Sequence, residues 1–225
     1  MKNIVKPRPD VDEKLIAPFR EMYNVLSLSC VVGDAMERSN VMRHDMKPKG
    51  ADKKIIGPAI TVKLTAGDIV DCLGVFEIAK PGDVIVIDAF GETETSIWGG
   101  LMSGIARNAG IVGAVIDGSC RDNDEARLLD FPVTAKVCGP RAAHTAYSGR
   151  KEPIEINVPI TCGGVIVNPG DLIVADEIGV AVVPYEDLEK VYAIAREQAD
   201  KEIATREEIL RGATVEELLN KFGRI

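Results

Sequence analysis

Histidine is nearly missing from this sequence. Only His44 and His144 occur in 225 residues, and neither has a second His or Cys at ligand spacing, so a histidine-based zinc centre is not expected. Positive charge is also in deficit: 27 Lys and Arg stand against 35 Asp and Glu, a net charge of −8. Such a surface repels nucleic-acid backbones and anionic membranes, which excludes a nucleic-acid or membrane-surface partner from the expected set. No apolar run approaches the ~20 residues that cross a bilayer, and the start MKNIVKPRPDVDEK has no apolar core of a signal peptide, so a cytoplasmic protein is expected. The five cysteines, at 30, 72, 120, 138 and 162, are odd in number and form no CxxC pair; they read as reduced thiols, Cys120 as a bystander. A G-x-S-x-G elbow, a Walker loop and a strand-linked G-x-G-x-x-G are all absent, so serine-hydrolase, P-loop and Rossmann chemistry lack their required parts. Lys63 and Lys136 fall on strand patterns without a Schiff-base context and read as ordinary strand or rim lysines.

What is present is a chain with 46% hydrophobic residues, enough to bury a core without disulfides. Short Val- and Ile-rich runs bounded by Gly, Pro or Asp read as strands: GPAITVKL, DVIVIDA, VGAVID, FPVTAKV, IEINVPI, DLIVAD and GVAVVP. Helical patterns interleave the earlier ones: the stretch around Leu15, Ile16, Phe19, Met22 and Tyr23, then SLSCVVGDAMERS, GDIVDCLGVFEIA, GGLMSGIARNA and DNDEARLLD. Alternation of this kind predicts an α/β fold with a mainly parallel sheet, while the close-set strands from about 154 to 184 predict hairpins or a second sheet layer. PGDVIVID at 81–88 echoes PGDLIVAD at 169–176; both read as a Pro-Gly turn entering a buried strand. The whole of 1–225 reads as one domain, with a core over 1–185 and a charged C-terminal helical arm over 186–225. Leu188, Val191, Ile194, Ile209 and Leu210 give that arm an apolar stripe, suited either to a subunit interface or to its own core.

Chemistry concentrates in WGGLMSGIARNAGIVGAVIDGSCRDNDEA, residues 98–126. Gly99 and Gly100 precede a helical pattern, so a ligand can approach the unpaired N–H groups of a helix start. The next strand leads into GSCRD, and ligands of open α/β sheets gather beyond strand carboxyl ends. There Arg121 offers a fork of donors for a substrate carboxylate, and Asp122 the hard oxygen that Mg²⁺ takes. The pair fits a small 2-oxo acid with a divalent metal; the same two residues also suit a helix cap with an exposed ion pair.

These residues resemble a family: proteins similar to regulator of ribonuclease activity A and to the 4-hydroxy-4-methyl-2-oxoglutarate/4-carboxy-4-hydroxy-2-oxoadipate aldolases. GDAMERSNVM, GPAITVKL, KPGDVIVID, the WGGLMS helix start, VGAVIDGSCRD and VNPGDLIVADEIGVAVVP carry the resemblance over roughly residues 25–205. It implies a swivelling-type α/β/β sandwich assembled as a homotrimer or a dimer of trimers. For the aldolase members it implies that Arg121 acts on the pyruvyl carboxylate, that Gly99, Gly100 and the amides of Leu101 and Met102 border the substrate, and that Asp122 ligates Mg²⁺ or Mn²⁺. Glu202, or else Glu197, on a neighbouring subunit's C-terminal helix would support the metal through water. The aldolases carry an Asp where this chain has Gly100; Glu92 and Glu94 are then candidates for a substitute carboxylate or are plain surface residues. The implied activity is a metal-dependent pyruvate aldolase with oxaloacetate decarboxylation as a side reaction. The alternative is a non-catalytic regulator that binds a ribonuclease.

Overall fold

The computed structural model describes residues 3–64, 72–143 and 154–223. In chain order the elements are β1 (Ile4–Val5), α1 (Glu13–Glu21), α2 (Leu28–Ala35), β2 (Lys47–Pro48), β3 (Ile55–Lys63), a 3-10 turn (Cys72–Glu77), β4 (Val84–Trp98), α3 (Gly100–Asn108), β5 (Gly113–Cys120), α4 (Asn123–Leu128), β6 (Val133–Cys138), β7 (Glu155–Ile156), β8 (Ile160–Cys162), β9 (Val165–Val167), β10 (Leu172–Ala175), β11 (Val180–Val183), a second 3-10 turn (Tyr185–Asp187), α5 (Leu188–Leu210) and α6 (Val215–Phe222). The fold is mixed α/β. Strands β3, β4, β5 and β6 run parallel side by side, with β2 antiparallel on β6 and β7 antiparallel on β3. The first half of β3 leaves this pairing and bonds to β10, which pairs in turn with β11.

Side chains alternate across a strand, and the alternation here feeds two cores. One face of the parallel sheet sends Ile85, Ile87 and Ile116 against Trp98, Met102, Ala106 and Ala126 around α3 and α4. The other sends Val84, Val86 and Val115 against Ile173, Ala175, Val180 and Val182 of the second strand layer. Because both faces are covered, the strands can be apolar throughout, as sequence runs such as VIVID require. On the outside of β10 and β11, Leu172, Val174, Ala181 and Val183 meet Phe19, Leu28, Val32, Leu188, Val191 and Ala195 from α1, α2 and α5. These helices form a further layer that a three-layer α/β/β expectation does not contain.

The two Pro-Gly-Asp echoes share one geometry. Gly82 and Gly170 both lie at φ +92°, a backbone that a side chain resists. Asp83 accepts from the Lys80 amide at 2.8 Å and Asp171 from the Asn168 amide at 2.7 Å, so each carboxylate closes its own turn. Elsewhere the sequence expectation needs correction. Of the helix expected over 67–79, Cys72–Glu77 is a 3-10 turn and residues 65–71 lie outside the described ones. Strand β4 runs on to Trp98 by absorbing register shifts near Glu92 and Ser96. Gly118, Ser119 and Cys120 belong to β5 rather than to a loop. The stripe on α5 is split: Leu188 and Val191 are buried on their own subunit, whereas Ile194, Ile209 and Leu210 are exposed, Leu210 by 87%.

Candidate active site at the start of a glycine-led helix

Trp98 at the end of β4 stands opposite Cys120 at the end of β5. From this shared edge the chain enters α3 through Gly99, and α4 through Arg121 and Asp122. The Arg121 amide donates to the Trp98 carbonyl at 2.9 Å, tying the two exits together. Trp98 is buried, stacks on Phe131 with centroids 6.3 Å apart, and donates from Nε1 to Ser103 Oγ at 2.9 Å. Ser103 Oγ donates on to the Gly99 carbonyl at 3.1 Å. A buried indole thus fixes the first turn of α3.

Asp122 sits at the N-cap position of α4 but does not cap it. Its Oδ2 instead accepts from the Gly100 amide of α3 at 3.2 Å. The backbone that aims it there is left-handed, φ 54°, at a cost of about 1–3 kcal/mol for a residue with a side chain. The Arg121 Nε lies 3.5 Å from Asp122 Oδ2, and both side chains are 42% exposed. An ion pair that open contributes little to stability, and the remaining guanidinium nitrogens of Arg121 have no acceptor among the described residues. They are free to meet a ligand. Leu101 and Met102 follow in the first turn, where no earlier intrahelical carbonyl exists for their amides; Leu101 is 80% exposed and Met102 is buried.

The glycines make room for carboxylates. A β-carbon on Gly99 would lie 2.7 Å from Asp122 Oδ2, and one on Gly100 would overlap the carboxylate of Glu125, lying 2.9 Å from its Cγ and nearer still to the carboxyl group. Sequence reasoning missed Glu125. The only available signal was its position one turn into α4, and nothing in the sequence pairs that position with Gly100. Glu92 and Glu94 are engaged elsewhere: Glu92 accepts from the Glu94 and Thr95 amides at 2.7 and 2.9 Å, and Glu94 faces Arg141. Glu202 is not brought to Arg121 within the chain. It lines a groove of about 860 Å³ with Asp34, Arg38 and Glu197, and pairs with Arg206 at 2.6 Å.

Among the described residues no group of three or more His, Cys, Asp or Glu could hold a metal by itself. Mg²⁺ and Mn²⁺ do not require one, since one or two carboxylates with water and substrate suffice. The hard oxygens of Asp122, held beside a helix start in a hollow that the glycines leave, fit such a cation. The described cysteines are all free thiols. Burial, helped by neighbouring Cys138 at 3.8 Å, pushes the Cys120 thiol far up, which disfavours the nucleophilic thiolate. His44 is exposed; His144 lies outside the described residues. Lys63 faces Glu155 at 3.5 Å, and Lys136 pairs with Asp117 at 3.1 Å. This second pair belongs to a polar cluster with Arg43 and Asp45 that the sequence did not reveal.

A family model described as RraA-like, Aldolase/RraA, matches residues 29–182. The chain belongs to the RraA-like family. The matched span holds Gly99, Gly100, Arg121, Asp122 and Glu125, and leaves out Glu202. A relative from Halalkalibacterium halodurans, provisionally named a 4-hydroxy-4-methyl-2-oxoglutarate aldolase, is 37% identical over 190 residues, 84% of this chain and 87% of that protein. An uncharacterized protein from Pseudomonas syringae pv. tomato superposes with a TM-score of 0.76 at 25% identity, covering 95% of this chain and 98% of that one. The RNA-processing inhibitor RraA from a Thermus species superposes with a TM-score of 0.61 at 26% identity, covering 69% and 92%. The RraA-like family therefore takes in proteins named for aldol cleavage and proteins titled for RNA-processing inhibition. No helix among the described residues is long and apolar enough to cross a membrane.

Proposed function

We propose that this protein is a divalent-cation-dependent carbon–carbon lyase that cleaves 4-hydroxy-2-oxo acids such as 4-hydroxy-4-methyl-2-oxoglutarate, releases pyruvate, and decarboxylates oxaloacetate as a side reaction. The observation that carries the reading is the convergence of Arg121 and Asp122 on the glycine-led start of α3. The planar fork of Arg121 takes the carboxylate of the pyruvyl end in a charge-assisted, bidentate grip. First-turn amides at Leu101 and Met102 face the same anion with the positive end of α3 behind them. Asp122 holds the cation, Mg²⁺ or Mn²⁺, and is itself fixed by the Gly100 amide. When bound, that cation supplies Lewis-acid stabilisation of the charge that gathers on the 2-oxo oxygen as the C3–C4 bond breaks. Arg121 stabilises the same developing charge from the carboxylate side, already oriented before the reaction begins.

The proposal includes a homotrimer or a dimer of trimers in the cytoplasm, with Glu202 contributed by a neighbouring subunit's α5. Two observations support it: Leu101 and Ile105 stand exposed beside the site, and Glu202 lies on a groove away from Arg121 within its own chain. Pyruvate release from oxaloacetate and from 4-hydroxy-4-methyl-2-oxoglutarate, measured with Mg²⁺ and again with chelator, tests the reading. Turnover that needs the metal and drops at least ~100-fold in Arg121→Ala is expected for a charge-assisted substrate grip. Equal, negligible signals in wild type and variant would favour the alternative, a ribonuclease-binding regulator, which the net charge of −8 also suits by complementarity to a basic surface. Ribonuclease binding that survives Arg121→Ala would then establish that alternative.

A further inference from the structure

We propose that Glu125 is the second carboxylate of the site, a positioning residue that works with Asp122 to fix the divalent cation; this rests on the reading given above. Three observations carry it. First, the Glu125 carboxyl group occupies the volume that a β-carbon on residue 100 would fill, so the absence of a side chain at Gly100 is what admits it to the start of α3. Second, among the described residues no hydrogen bond or ion pair engages that carboxylate, although the residue is half-buried. A carboxylate that no neighbouring cation or donor engages keeps its oxygens available to a metal ion. Third, the two glycine hollows are filled by one carboxylate each, Gly99 by Asp122 and Gly100 by Glu125, so two negative groups lie against consecutive residues, while among the described residues Arg121 is the one cation paired with Asp122 there. The positive ends of α3 and α4 offset part of this charge. A divalent cation would offset the rest, and Glu125 would hold it or its water in place.

The test relocates the carboxylate. Mn²⁺ affinity is measured by electron paramagnetic resonance on the full chain as wild type, Glu125→Gln, Gly100→Ala, and the pair Gly100→Asp with Glu125→Ala. Pyruvate release and thermal midpoints are recorded alongside. Glu125→Gln is expected to weaken Mn²⁺ by roughly 10- to 100-fold, the usual loss for a residue that orients a metal's surroundings, with the thermal midpoint kept. Gly100→Ala is expected to do the same by evicting the carboxylate. The paired substitution is expected to restore binding, because the Asp side chain enters the space that Glu125 has left. Wild-type Mn²⁺ binding that is unchanged in Glu125→Gln overturns this inference and leaves the lyase reading standing. Loss of affinity only in step with a lowered thermal midpoint, without recovery in the paired variant, also overturns it, by assigning Glu125 a structural role. A wild type that neither binds Mn²⁺ nor releases pyruvate overturns both.

Discussion

Gly99 and Gly100 act through the atoms they lack. Each leaves a hollow that a carboxylate from the segment after β5 fills, and Gly99→Ala should push Asp122 out of reach of the Gly100 amide, lowering kcat/KM by at least ~10-fold at unchanged oligomeric state. Arg121→Lys should lose nearly as much as Arg121→Ala, because an ammonium keeps the charge but not the fork; steady-state kinetics on oxaloacetate would show the difference in kcat/KM. Away from the site, burial raises the Asp88 carboxyl above its ordinary range, against the pull of hydrogen bonds from the Phe90 and Thr161 amides. An acid whose pKa is higher in the folded state favours folding in its protonated form. That contribution is present below the unfolded value of about 3.9 and is lost as pH rises through the folded value. Asp88→Asn should therefore raise the thermal midpoint at neutral pH relative to wild type, and the gain should vanish toward acid. At this scale the meeting of Arg121 and Asp122 beside the start of α3 was legible from loop position. The approach of Glu125 to Gly100 was not, because it joins residues well apart in sequence, one of which shows nothing but a glycine.

Among the elements, α3 owes its fixed start to Trp98. Removing the Ser103 hydroxyl would leave the buried indole N–H unpaired, and such a donor costs about 1–3 kcal/mol. Ser103→Ala should lower the urea midpoint accordingly, with the slope of the transition unchanged. The strands β3, β5 and β10 were readable from their apolar runs between Pro, Gly and Asp, and the paired turns at Gly82 and Gly170 from their repeated residues. The second half of β4 was not readable. FGETETSI alternates polar residues with no apolar face, and as far as Thr95 it is held as strand by ladder bonds to β5 across register shifts rather than by burial. On α3, Leu101 and Ile105 repeat at helical spacing yet face outward, while Met102, Ser103 and Ala106 face the core. Periodicity reports an apolar face without saying what covers it.

In the whole molecule, the N-terminal segment is pinned to the sheet by Arg8, whose Nε and Nη2 grip the buried Asp83 at 2.8 and 2.7 Å. Breaking that pair strands a buried carboxylate, so Arg8→Ala should destabilise the fold by about 3 kcal/mol, read from urea unfolding. The layer order was only partly legible, since the covering of β10 and β11 by α1, α2 and α5 joins segments from opposite ends of the chain. The proposed function rests on Arg121 and Asp122, which lie together at the carboxyl edge of the parallel sheet. Oxalate, a planar dicarboxylate that mimics the enolate of pyruvate, probes that site without reference to the physiological substrate. Calorimetric titration of the protein with oxalate should show binding only when Mg²⁺ or Mn²⁺ is present and none in Arg121→Ala. Binding of equal strength without the cation, or undiminished in Arg121→Ala, would contradict the account.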